Sequence, residues 1–386
     1  MNQFGTVSST KKAASIALAL TLLVPGLAGC NSATASKKQE PEKVEKVATK
    51  TAAATENKAL PNVKILATGG TIAGAAKSES ETTGYKAGVV GVDQLVEAVP
   101  ELKDLANISG EQVCKIDSSA MTNEILLKLA KEVDKQLKDP GVDGIVITHG
   151  TDTLEETAYF LNLVIKSEKP VVVVGSMRPS TALSADGPLN LYNAVAIAAS
   201  KESKGKGVLV ALNDKIGSAR DTTKTNTTRV DTFGSQDFGY LGLVQGGKPY
   251  FYNLSARKHT TNTEFNVNDI KELPRVDIVY AHGNDSRSMV DAAVEAGAKA
   301  IIHAGTGNGS VYPETLEGLI DAQKKGIVIV RDSKVGSGMV THEDIDDKNH
   351  FVSSDTLNPV KARVLTMIAL SKTSDPAKIQ EMFNQY

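Results

Sequence analysis

Short apolar runs recur along the sequence from Val63 onward and alternate with stretches of helical periodicity. The runs are largely continuous rather than alternating, which is typical of strands covered on both faces in a parallel sheet. The clearest runs are Val63–Ala67, Gly144–Thr148, Val171–Val174, Val208–Leu212, Val276–Tyr280, Ala300–Ala304 and Ile327–Val330. Helical patterns such as Met289–Ala296 and Leu316–Lys324 separate them. This alternation predicts an α/β fold.

Residues 253–274 form a polar, weakly patterned stretch that divides the apolar runs into two sets. The chain has 386 residues, which is enough for two sizeable cores. We therefore predict an N-terminal α/β domain at 60–252, a linker at 253–274 and a C-terminal α/β domain at 275–386. The 43 Lys and Arg residues nearly balance the 45 Asp and Glu residues, and no long basic stripe is evident. A nucleic-acid partner is therefore not expected.

The first 29 residues have the features of an export signal. Lys11 and Lys12 give a positive start, Ala13–Leu23 is an apolar run too short to span a bilayer, and Leu27-Ala28-Gly29-Cys30 closes the segment. These closing residues resemble a lipobox, where cleavage precedes the cysteine and lipid is attached to its sulfur. The alternative is an ordinary secretory peptide with a chance cysteine. We expect an exported protein, periplasmic or on the outer surface, that meets the membrane only through lipidated Cys30.

Residues 31–59 mix lysine and glutamate with small residues and contain almost no large apolar side chain. Such a composition cannot bury enough apolar surface to fold, so we predict a disordered tether at 30–59, beginning at the anchor. The chain has two cysteines. With Cys30 in the anchor, no internal disulfide is expected, and Cys114 is predicted to be a small buried apolar residue. A reactive thiol would need a neighbouring base that the sequence does not reveal.

Two predicted strands end in unusual loops. In an open α/β sheet, ligands collect beyond the carboxyl ends of the strands. Thr68-Gly69-Gly70-Thr71-Ile72-Ala73-Gly74 follows the first run, and its paired glycines allow a substrate to approach main-chain N–H groups, which could form an oxyanion pocket. The adjacent glycines do not fit the dinucleotide-binding pattern, and Ala75 after Gly74 does not fit the P-loop. No nucleotide or other cofactor is expected.

The second unusual loop is His149-Gly150-Thr151-Asp152-Thr153-Leu154-Glu155-Glu156, which follows the Gly144–Thr148 run. Thr153 and Glu156 fit a capping box that starts a helix. Thr151 and Asp152 would then be exposed at the strand-to-helix turn, facing the crevice. On this loop alone, a functional role and simple helix capping are equally compatible with the two residues.

A hydroxyl nucleophile needs a group that accepts its proton, and a lysine can serve where its surroundings lower its pKa. Lys224 lies among the hydroxyls of Asp221-Thr222-Thr223-Lys224-Thr225-Asn226-Thr227-Thr228, after the Val208–Leu212 run. Taken alone, it also fits a solvated surface lysine. The six histidines show no close metal-ligand spacing, so no metal site is expected, and there is no G-x-S-x-G nucleophile elbow.

Several segments together resemble the bacterial asparaginases, in their secreted, type II branch. The two signature segments are matched by ILATGGTIAG at 65–74 and VITHGTDTLEETAYFL at 146–161. Further matches are VVVVGSMRPSTALSADGPLNLYNAV at 171–195, DTTKTNTT at 221–228, ARKHT at 256–260, TLNPVKARVL at 356–365 and FNQY at 383–386. The resemblance covers nearly everything after residue 60. It implies a larger N-terminal flavodoxin-like catalytic domain, a smaller C-terminal α/β domain, and a homotetramer built as a dimer of close dimers.

The resemblance also implies a mechanism, the hydrolysis of L-asparagine to L-aspartate and ammonia. Thr71 corresponds to the family's nucleophile, and Tyr85 on a flexible loop assists proton transfer. Thr151 would work with Lys224 and Asp152 in a Thr–Lys–Asp group. The expected course is attack by Thr71, ammonia release, a threonine acyl-enzyme and attack by water.

Substrate contacts follow from the same correspondence. Asp152 would hold the α-ammonium of the substrate and Ser118 its α-carboxylate, while the main-chain N–H groups of Gly70 and Thr151 would stabilise the oxyanion. Ser176, in the third matching segment, is included among the substrate-binding residues. Asn284 from a neighbouring subunit would border the pocket.

The chain also departs from the commonest family pattern. Ser119 stands where the family usually has Gln or Glu, which puts one contact to the ammonium end in doubt and bears on glutamine tolerance. Near the acid that the family donates across the subunit interface, either Glu343 or Asp344 could take that role. A broad glutaminase-asparaginase is therefore the alternative enzyme. From a different class, a solute-binding lipoprotein of a transporter would share the anchor and the two-lobed fold.

Overall fold

The structure is a computed structural model, and it describes residues 60–386. The expected signal peptide, Cys30 and the expected tether at 30–59 lie outside the described residues. The strands in chain order are β1 (Asn62–Gly69), β2 (Asn107–Ile116), β3 (Gly144–Thr148), β4 (Val171–Val174), β5 (Val208–Leu212), β6 (Lys215–Ser218), β7 (Thr223–Lys224), β8 (Phe233–Gly234), β9 (Gly242–Gln245), β10 (Lys248–Phe251), β11 (Val276–Tyr280), β12 (Ala300–Gly305), β13 (Val328–Ser333) and β14 (Val352–Ser353).

The helices alternate with these strands along the chain. They are α1 (Val92–Glu97), α2 (Asn123–Lys138), α3 (Leu154–Val164), α4 (Gly187–Ala199), α5 (Ser288–Glu295), α6 (Pro313–Lys324), α7 (Asp344–Asn349), α8 (Pro359–Ala369) and α9 (Pro376–Gln385). None of the helices within residues 60–386 combines the length and the apolar character that crossing a bilayer requires.

The larger sheet has the strand order β10-β9-β6-β5-β4-β3-β1-β2. Its parallel part, β2-β1-β3-β4-β5, has the 2-1-3-4-5 order of flavodoxin-like folds. The smaller sheet, β11-β12-β13-β14, is parallel throughout. The predicted two-domain α/β class is confirmed.

The larger sheet is not wholly parallel, unlike the pattern expected from the sequence. β6 pairs antiparallel with β5 and with β9, and β10 pairs antiparallel with β9. The turn after β5 is tight, because Asn213 and Asp214 both adopt the left-handed conformation, with φ of 51° and 60°. A two-residue connection of this kind can only return the chain antiparallel to the strand it leaves.

One apolar core extends between the two sheets. Helix α3 is buried almost all round, and α8 packs against it and against β11 and β12. Side chains of both sheets, such as Val173 and Ile302, belong to the same buried cluster. Because nearly every face of α3 is buried and α8 packs against it, α3 fixes the larger sheet to the smaller one.

The segment 253–274 is irregular apart from two short 3₁₀ turns, Thr260–Asn262 and Val267–Asp269. It is nevertheless packed, since Phe265, Val267 and Ile270 are buried in the core that joins the sheets. The ring of Tyr386 lies 5.2 Å from that of Phe265, so the end of α9 packs against the same segment.

Candidate active site

The loops after β1 and β3 touch each other through their main chains. These two strands are neighbours at the point where the strand order reverses, which is where open α/β sheets form ligand crevices. Gly70 has a φ of 76°, and a Cβ added there would lie 2.3 Å from the Cα of Gly150. A side chain on Gly70 would push the two loops apart, so glycine is required for their contact.

Thr71 lies at the start of a 3₁₀ turn and is 6% exposed. Its hydroxyl is 2.6 Å from the hydroxyl of Tyr85, which lies on the loop that follows the turn. An O–H···O bond of that length is a good hydrogen bond in either direction. The structure therefore brings the expected nucleophile and its expected proton-transfer partner together.

The pKa of Tyr85 is raised above its ordinary value, chiefly because half-burial disfavours the phenolate. The hydrogen bond from Thr71 opposes this shift, and the carboxylates of Asp117, Asp152 and Asp186 add to it. At neutral pH, Tyr85 therefore keeps its proton. It can pass a proton on while accepting another, but it does not stand ready as a phenolate base.

A second hydroxyl group and the predicted lysine meet beside this pair. The Lys224 amine donates to the Thr151 hydroxyl at 3.0 Å and to the Asp152 carboxylate at 2.6 Å. The three expected members of the Thr–Lys–Asp group are thus in direct contact. An open cavity of about 360 Å³ borders Asp152, Lys224 and residues 225–227.

Thr151 and Asp152 in the second loop were both expected to be exposed, and the structure differs for Thr151. Asp152 is exposed, but Thr151 is only 5% exposed. The difference arises because Gly175 packs closely on Thr151: a Cβ on Gly175 would lie 3.1 Å from the Thr151 methyl group. The hydroxyl is turned toward Lys224 rather than toward bulk water.

The capping box expected from Thr153 and Glu156 does not form. Helix α3 does begin after Thr153, but that residue makes no side-chain cap. Its hydroxyl donates to the main-chain carbonyl of Ser118 at 2.9 Å, and Glu156 lies 3.5 Å from Arg363. Tertiary partners have replaced the local cap.

Ser118 is buried next to this turn, and its hydroxyl oxygen accepts the Asp152 N–H at 3.2 Å. Its own hydroxyl proton remains available for another acceptor, as expected of a residue that binds a carboxylate. Ser119 is exposed, and its N–H donates to the Asp117 carboxylate.

The N–H of Gly70, expected to stabilise an oxyanion, is already used. It donates to the carbonyl of Ile116 at 2.9 Å, because β1 and β2 stay paired up to this point. The first N–H groups of a helical turn have no acceptor within the turn. The N–H of Thr71, at the start of its turn, is therefore the candidate oxyanion donor in place of the N–H of Gly70.

The remaining expected residues lie apart from these pairs. Ser176 is buried, and its hydroxyl donates to the carbonyl of Arg178. Asn284 follows β11 in the smaller sheet, is exposed and has a φ of 55°. Glu343 starts α7, with its N–H donating to Asp346, and the Asp344 side chain is 93% exposed. No hydrogen bond within residues 60–386 links Asn284, Glu343 or Asp344 to Thr71, Thr151 or Lys224.

Cys114 is half-buried rather than fully buried, and its thiol lies 3.4 Å from the carbonyl of Thr68. Burial raises the pKa of this thiol, and Lys128 opposes that shift. A raised pKa is typical of an unreactive cysteine. Among residues 60–386, no group of three or more His, Cys, Asp or Glu side chains is arranged to hold a metal ion.

Sequence reasoning gave no role to His149, although it immediately follows β3. The imidazole is fully buried, and burial lowers its pKa to about 4, so the ring is neutral. Nδ1 is 2.8 Å from the carbonyl of Gly150 and must donate to it; Nε2 then accepts the hydroxyl of Thr157 at 2.9 Å. His149 thus fixes the turn that presents Thr151.

Glu155 was also given no role, although it lies within the second signature segment. It is 8% exposed and accepts hydrogen bonds from the Thr223 hydroxyl and from the N–H of Lys224. In the sequence, the signal for such a role was a carboxylate one helical turn after Asp152. The hydrogen-bond partners of Glu155 come from distant parts of the chain, so the sequence did not indicate them.

Comparison with known proteins points to one family. Residues 62–257 match the family model for the N-terminal domain of asparaginase, and residues 275–383 match that for the glutaminase/asparaginase C-terminal domain. L-asparaginase 2 of Bacillus subtilis (strain 168) is 55% identical, covering 95% of this chain and 97% of the relative. The glutaminase-asparaginase of Pseudomonas fluorescens biotype A is 53% identical, covering 85% and 91%. The crystal structure of a probable cytoplasmic L-asparaginase from Campylobacter jejuni superposes with a TM-score of 0.83 at 55% identity, covering 84% of this chain and all of the other.

Proposed function

This chain belongs to the asparaginase/glutaminase family, and on that premise we propose that it is an L-asparaginase that works through a threonine acyl-enzyme. The reaction converts L-asparagine and water to L-aspartate and ammonia. The observation that carries the proposal is the pairing of two threonine hydroxyls, on touching loops, with separate proton-transfer partners. Thr71 is hydrogen-bonded to Tyr85, and Thr151 to Lys224.

In the first half of the reaction, the Thr71 oxygen bonds to the amide carbon of the substrate as the threonine proton leaves through Tyr85. The carbonyl oxygen becomes an oxyanion, which the N–H groups of Thr71 and Thr151 stabilise. The C–N bond then breaks, and the nitrogen takes up the proton that Thr71 released through Tyr85 and departs as ammonia. Positioned proton transfer typically contributes about 10²–10⁴-fold, and an oxyanion donor about 10²–10³-fold.

In the second half, water attacks the ester carbon of the acylated Thr71. Thr151 takes a proton from this water and relays it to Lys224. The ester C–O bond breaks, the proton returns from Lys224 through Thr151 to the departing Thr71 oxygen, and aspartate is released. The Lys224–Asp152 contact of 2.6 Å supports this assignment because it holds the amine within hydrogen-bond distance of the Thr151 hydroxyl.

Two polar groups support recognition of an α-amino acid. The Asp152 carboxylate is 57% exposed and can accept a substrate ammonium while it contacts Lys224. The Ser118 hydroxyl proton is free to bind the α-carboxylate, since its oxygen already accepts the Asp152 N–H. Anchoring both charged groups would orient the side-chain amide toward Thr71.

Glutamine is the alternative substrate to compare, because glutaminase-asparaginases are among the similar proteins. Ammonia release should be measured with purified full-length protein on asparagine and on glutamine. We expect turnover of asparagine, and its loss in Thr71→Ala with folding retained. Binding of asparagine without any ammonia release would refute the proposal and favour the solute-binding lipoprotein.

We further propose that the protein is exported and anchored to the membrane by lipid on Cys30. The proposal rests on the sequence of residues 1–30, and it predicts that wild-type protein sediments with membranes while Cys30→Ser is released in soluble form. Equal partition of the two proteins would refute it. Digestion of the anchored protein by protease added to spheroplasts would support its periplasmic or outer-surface location.

We also propose a homotetramer made of close dimers, in which Asn284 of one protomer completes the pocket of its partner. The exposed position of Asn284, on the loop after β11, supports a role outside its own subunit. The same reasoning applies to Glu343 or Asp344 at the start of α7. Light scattering on the purified protein tests the stoichiometry, and a stable monomer that retains full activity would contradict it.

A further inference from the structure

A buried ionic cluster, formed by Glu155, Asn358 and Lys361, holds the main chain that carries Lys224. One carboxylate oxygen of Glu155 accepts the Thr223 hydroxyl at 2.9 Å and the N–H of Lys224 at 3.3 Å. The other oxygen accepts the amide of Asn358 at 2.9 Å and lies 3.7 Å from the amine of Lys361. Both oxygens of Glu155 are therefore engaged, each with two partners.

Lys361 holds the same segment from the other side. Its amine, only 2% exposed, donates to the carbonyls of Arg220 at 2.7 Å and Thr222 at 2.6 Å. Burial lowers the pKa of this amine, while the carboxylate of Glu155 raises it. Main-chain carbonyls just before β7 are thus bound by Lys361, and the N–H group within β7 is bound by Glu155.

The cluster has a geometric consequence for the reacting amine. Glu155 lies in the first turn of α3, immediately after the Thr151–Asp152 turn that the Lys224 amine contacts. Both ends of the lysine, its main chain and its amine, are therefore positioned by one helix terminus. A buried carboxylate is costly to leave unpaired, so the cluster resists distortion.

Lys224 would have room to move without this attachment. A cavity of about 300 Å³ lies next to β7 and is bordered by Glu155, Lys224, Tyr280 and Lys334. Within residues 60–386, the two-residue strand β7 pairs only with β8 and belongs to neither main sheet. Sheet pairing alone therefore gives β7 little support, and Glu155 supplies the missing constraint.

We propose that Glu155 is a positioning residue that fixes the Lys224 amine against Thr151 and Asp152, an inference that rests on the function proposed above. Glu155 acts through the main chain of Lys224 and through Thr223, and it touches no reacting atom. Asn358 and Lys361 extend the constraint to α8. The smaller domain thereby contributes to the geometry of a site that lies on the larger one.

The test compares kcat and KM for ammonia release in Glu155→Ala, Glu155→Gln and Thr223→Val. We expect Glu155→Ala to lower kcat about 10- to 100-fold with KM changed less than about threefold, since a shift near 1 Å in a reacting group can cost about 10²-fold. Glu155→Gln keeps an acceptor for the Lys224 N–H and should recover part of the loss. Thr223→Val, which keeps its shape and loses the hydroxyl's bonds to Glu155 and Asn358, should lower kcat about 3- to 10-fold.

Glu156→Gln is the matched control, because it removes a carboxylate from the adjacent residue of the same helix turn. Its kcat should stay within about twofold of wild type. Rates are normalised to the folded fraction measured by circular dichroism. If Glu155→Ala fails to fold, Glu155→Gln and Thr223→Val decide the matter on the same measurements.

The outcomes separate the two proposals. A wild-type protein that releases no ammonia from asparagine refutes the proposed function. An active wild type with unchanged kcat in folded Glu155→Gln and Thr223→Val refutes only the positioning role. A rise in KM at unchanged kcat would also overturn it, as would an equal loss in Glu156→Gln.

Discussion

At the scale of single residues, the protonation state of Tyr85 determines how Thr71 can lose its proton. Half-burial and three neighbouring carboxylates raise the pKa of the phenol, while the hydrogen bond to Thr71 lowers it. The phenol is therefore protonated throughout the physiological range. A protonated Tyr85 can accept the Thr71 proton only if its own proton moves on to another acceptor at the same time.

Tyr85→Phe removes this hydroxyl and keeps the ring. We expect kcat to fall about 10²–10³-fold, within the range for loss of one proton-transfer group. Because the pKa of Tyr85 lies above its ordinary value of 10.0, its ionisation should not affect the reaction at lower pH. The ratio of wild-type to Tyr85→Phe kcat should therefore stay constant from about pH 6 to about pH 9. A ratio that falls steadily over this interval would show that the phenolate forms at a lower pH than the raised pKa of Tyr85 implies.

The residues that meet in the site were predictable to different degrees. Thr71 and Thr151 follow apolar runs directly, so the rule that ligands collect at strand ends points to them. Lys224 lies on an isolated two-residue strand, and only the family resemblance distinguished it from a surface lysine. Hydrogen bonds of Gly70 and Thr153 depend on distant partners, which is why their expected roles did not hold.

At the scale of elements, the site depends on how closely the ends of β1 and β3 approach. Gly70→Ala would place a Cβ 2.3 Å from the Gly150 Cα, with a φ of 76° that alanine rarely adopts. Gly205→Ala provides the matched control: its φ is 68°, yet a Cβ there would meet nothing within 4 Å. Both changes should cost on the order of 1–3 kcal/mol in backbone strain, and Gly70→Ala the more of the two, because a ψ of −171° at this φ is essentially restricted to glycine.

Only Gly70→Ala should also impair catalysis, because it separates the loops that carry Thr71 and Thr151. We expect its kcat to fall at least about 10²-fold, as for misplaced reacting groups, and that of Gly205→Ala to stay near wild type. Steady-state ammonia release, with thermal unfolding of both variants, makes the comparison. Equal kcat values for the two variants would contradict the loop contact.

Glu156 is a titratable side chain at the interface of α3 and α8, where it lies 3.5 Å from Arg363. Burial raises the pKa of Glu156 from 4.5 to about 7, although Arg363 opposes the shift. The folded state therefore holds a proton that the unfolded state releases between about pH 4.5 and 7, and this group makes the protein less stable as pH rises through that window.

Glu156→Gln should remove this penalty. Its free energy of unfolding should match wild type near pH 4.5 and exceed it by on the order of 2 kcal/mol above pH 7. Urea unfolding at both pH values, at one protein concentration, measures the difference. Glu314→Gln, which changes an exposed glutamate in the first turn of α6, should show no such pH dependence. A Glu156→Gln variant less stable than wild type at pH 8 would refute the assignment.

The sequence predicted buried strands far better than edge strands. β3, β4 and β5 begin and end where their apolar runs do, because both faces of these strands are covered. β2, β9 and β10 lie at the sheet margins and carry many exposed polar residues, so no continuous run marks them. The antiparallel edge was missed for the same reason.

At the scale of the whole molecule, Asn284 distinguishes a self-sufficient monomer from the proposed assembly, in which it borders the pocket of a neighbouring subunit. Mixing two inactive variants tests whether this residue acts across a subunit interface. In a close dimer of Thr71→Ala with Asn284→Ala, one of the two sites would combine an intact Thr71 with an intact Asn284 from the partner. Random pairing would then restore about a quarter of the wild-type sites.

Coexpression of the two variants should therefore give up to about a quarter of wild-type activity, while each variant alone gives little. The measurement is ammonia release at equal total protein. Coexpression of Thr71→Ala with Lys224→Met is the control. By the same reasoning it should restore nothing, since both residues belong to one subunit's site. Failure of the first pair to recover any activity would place Asn284 outside the neighbouring pocket.

The attachment of β7 to α8 also affects the order in which the protein matures. The ribosome makes the larger sheet first, and domains generally fold from the N-terminus during synthesis. Lys361 emerges 137 residues after Lys224, so a nascent chain can contain both threonines, Glu155 and Lys224 before Lys361 completes the cluster that holds the lysine. Chemical competence would then be acquired only near the end of translation, after the last strand and α8 have docked.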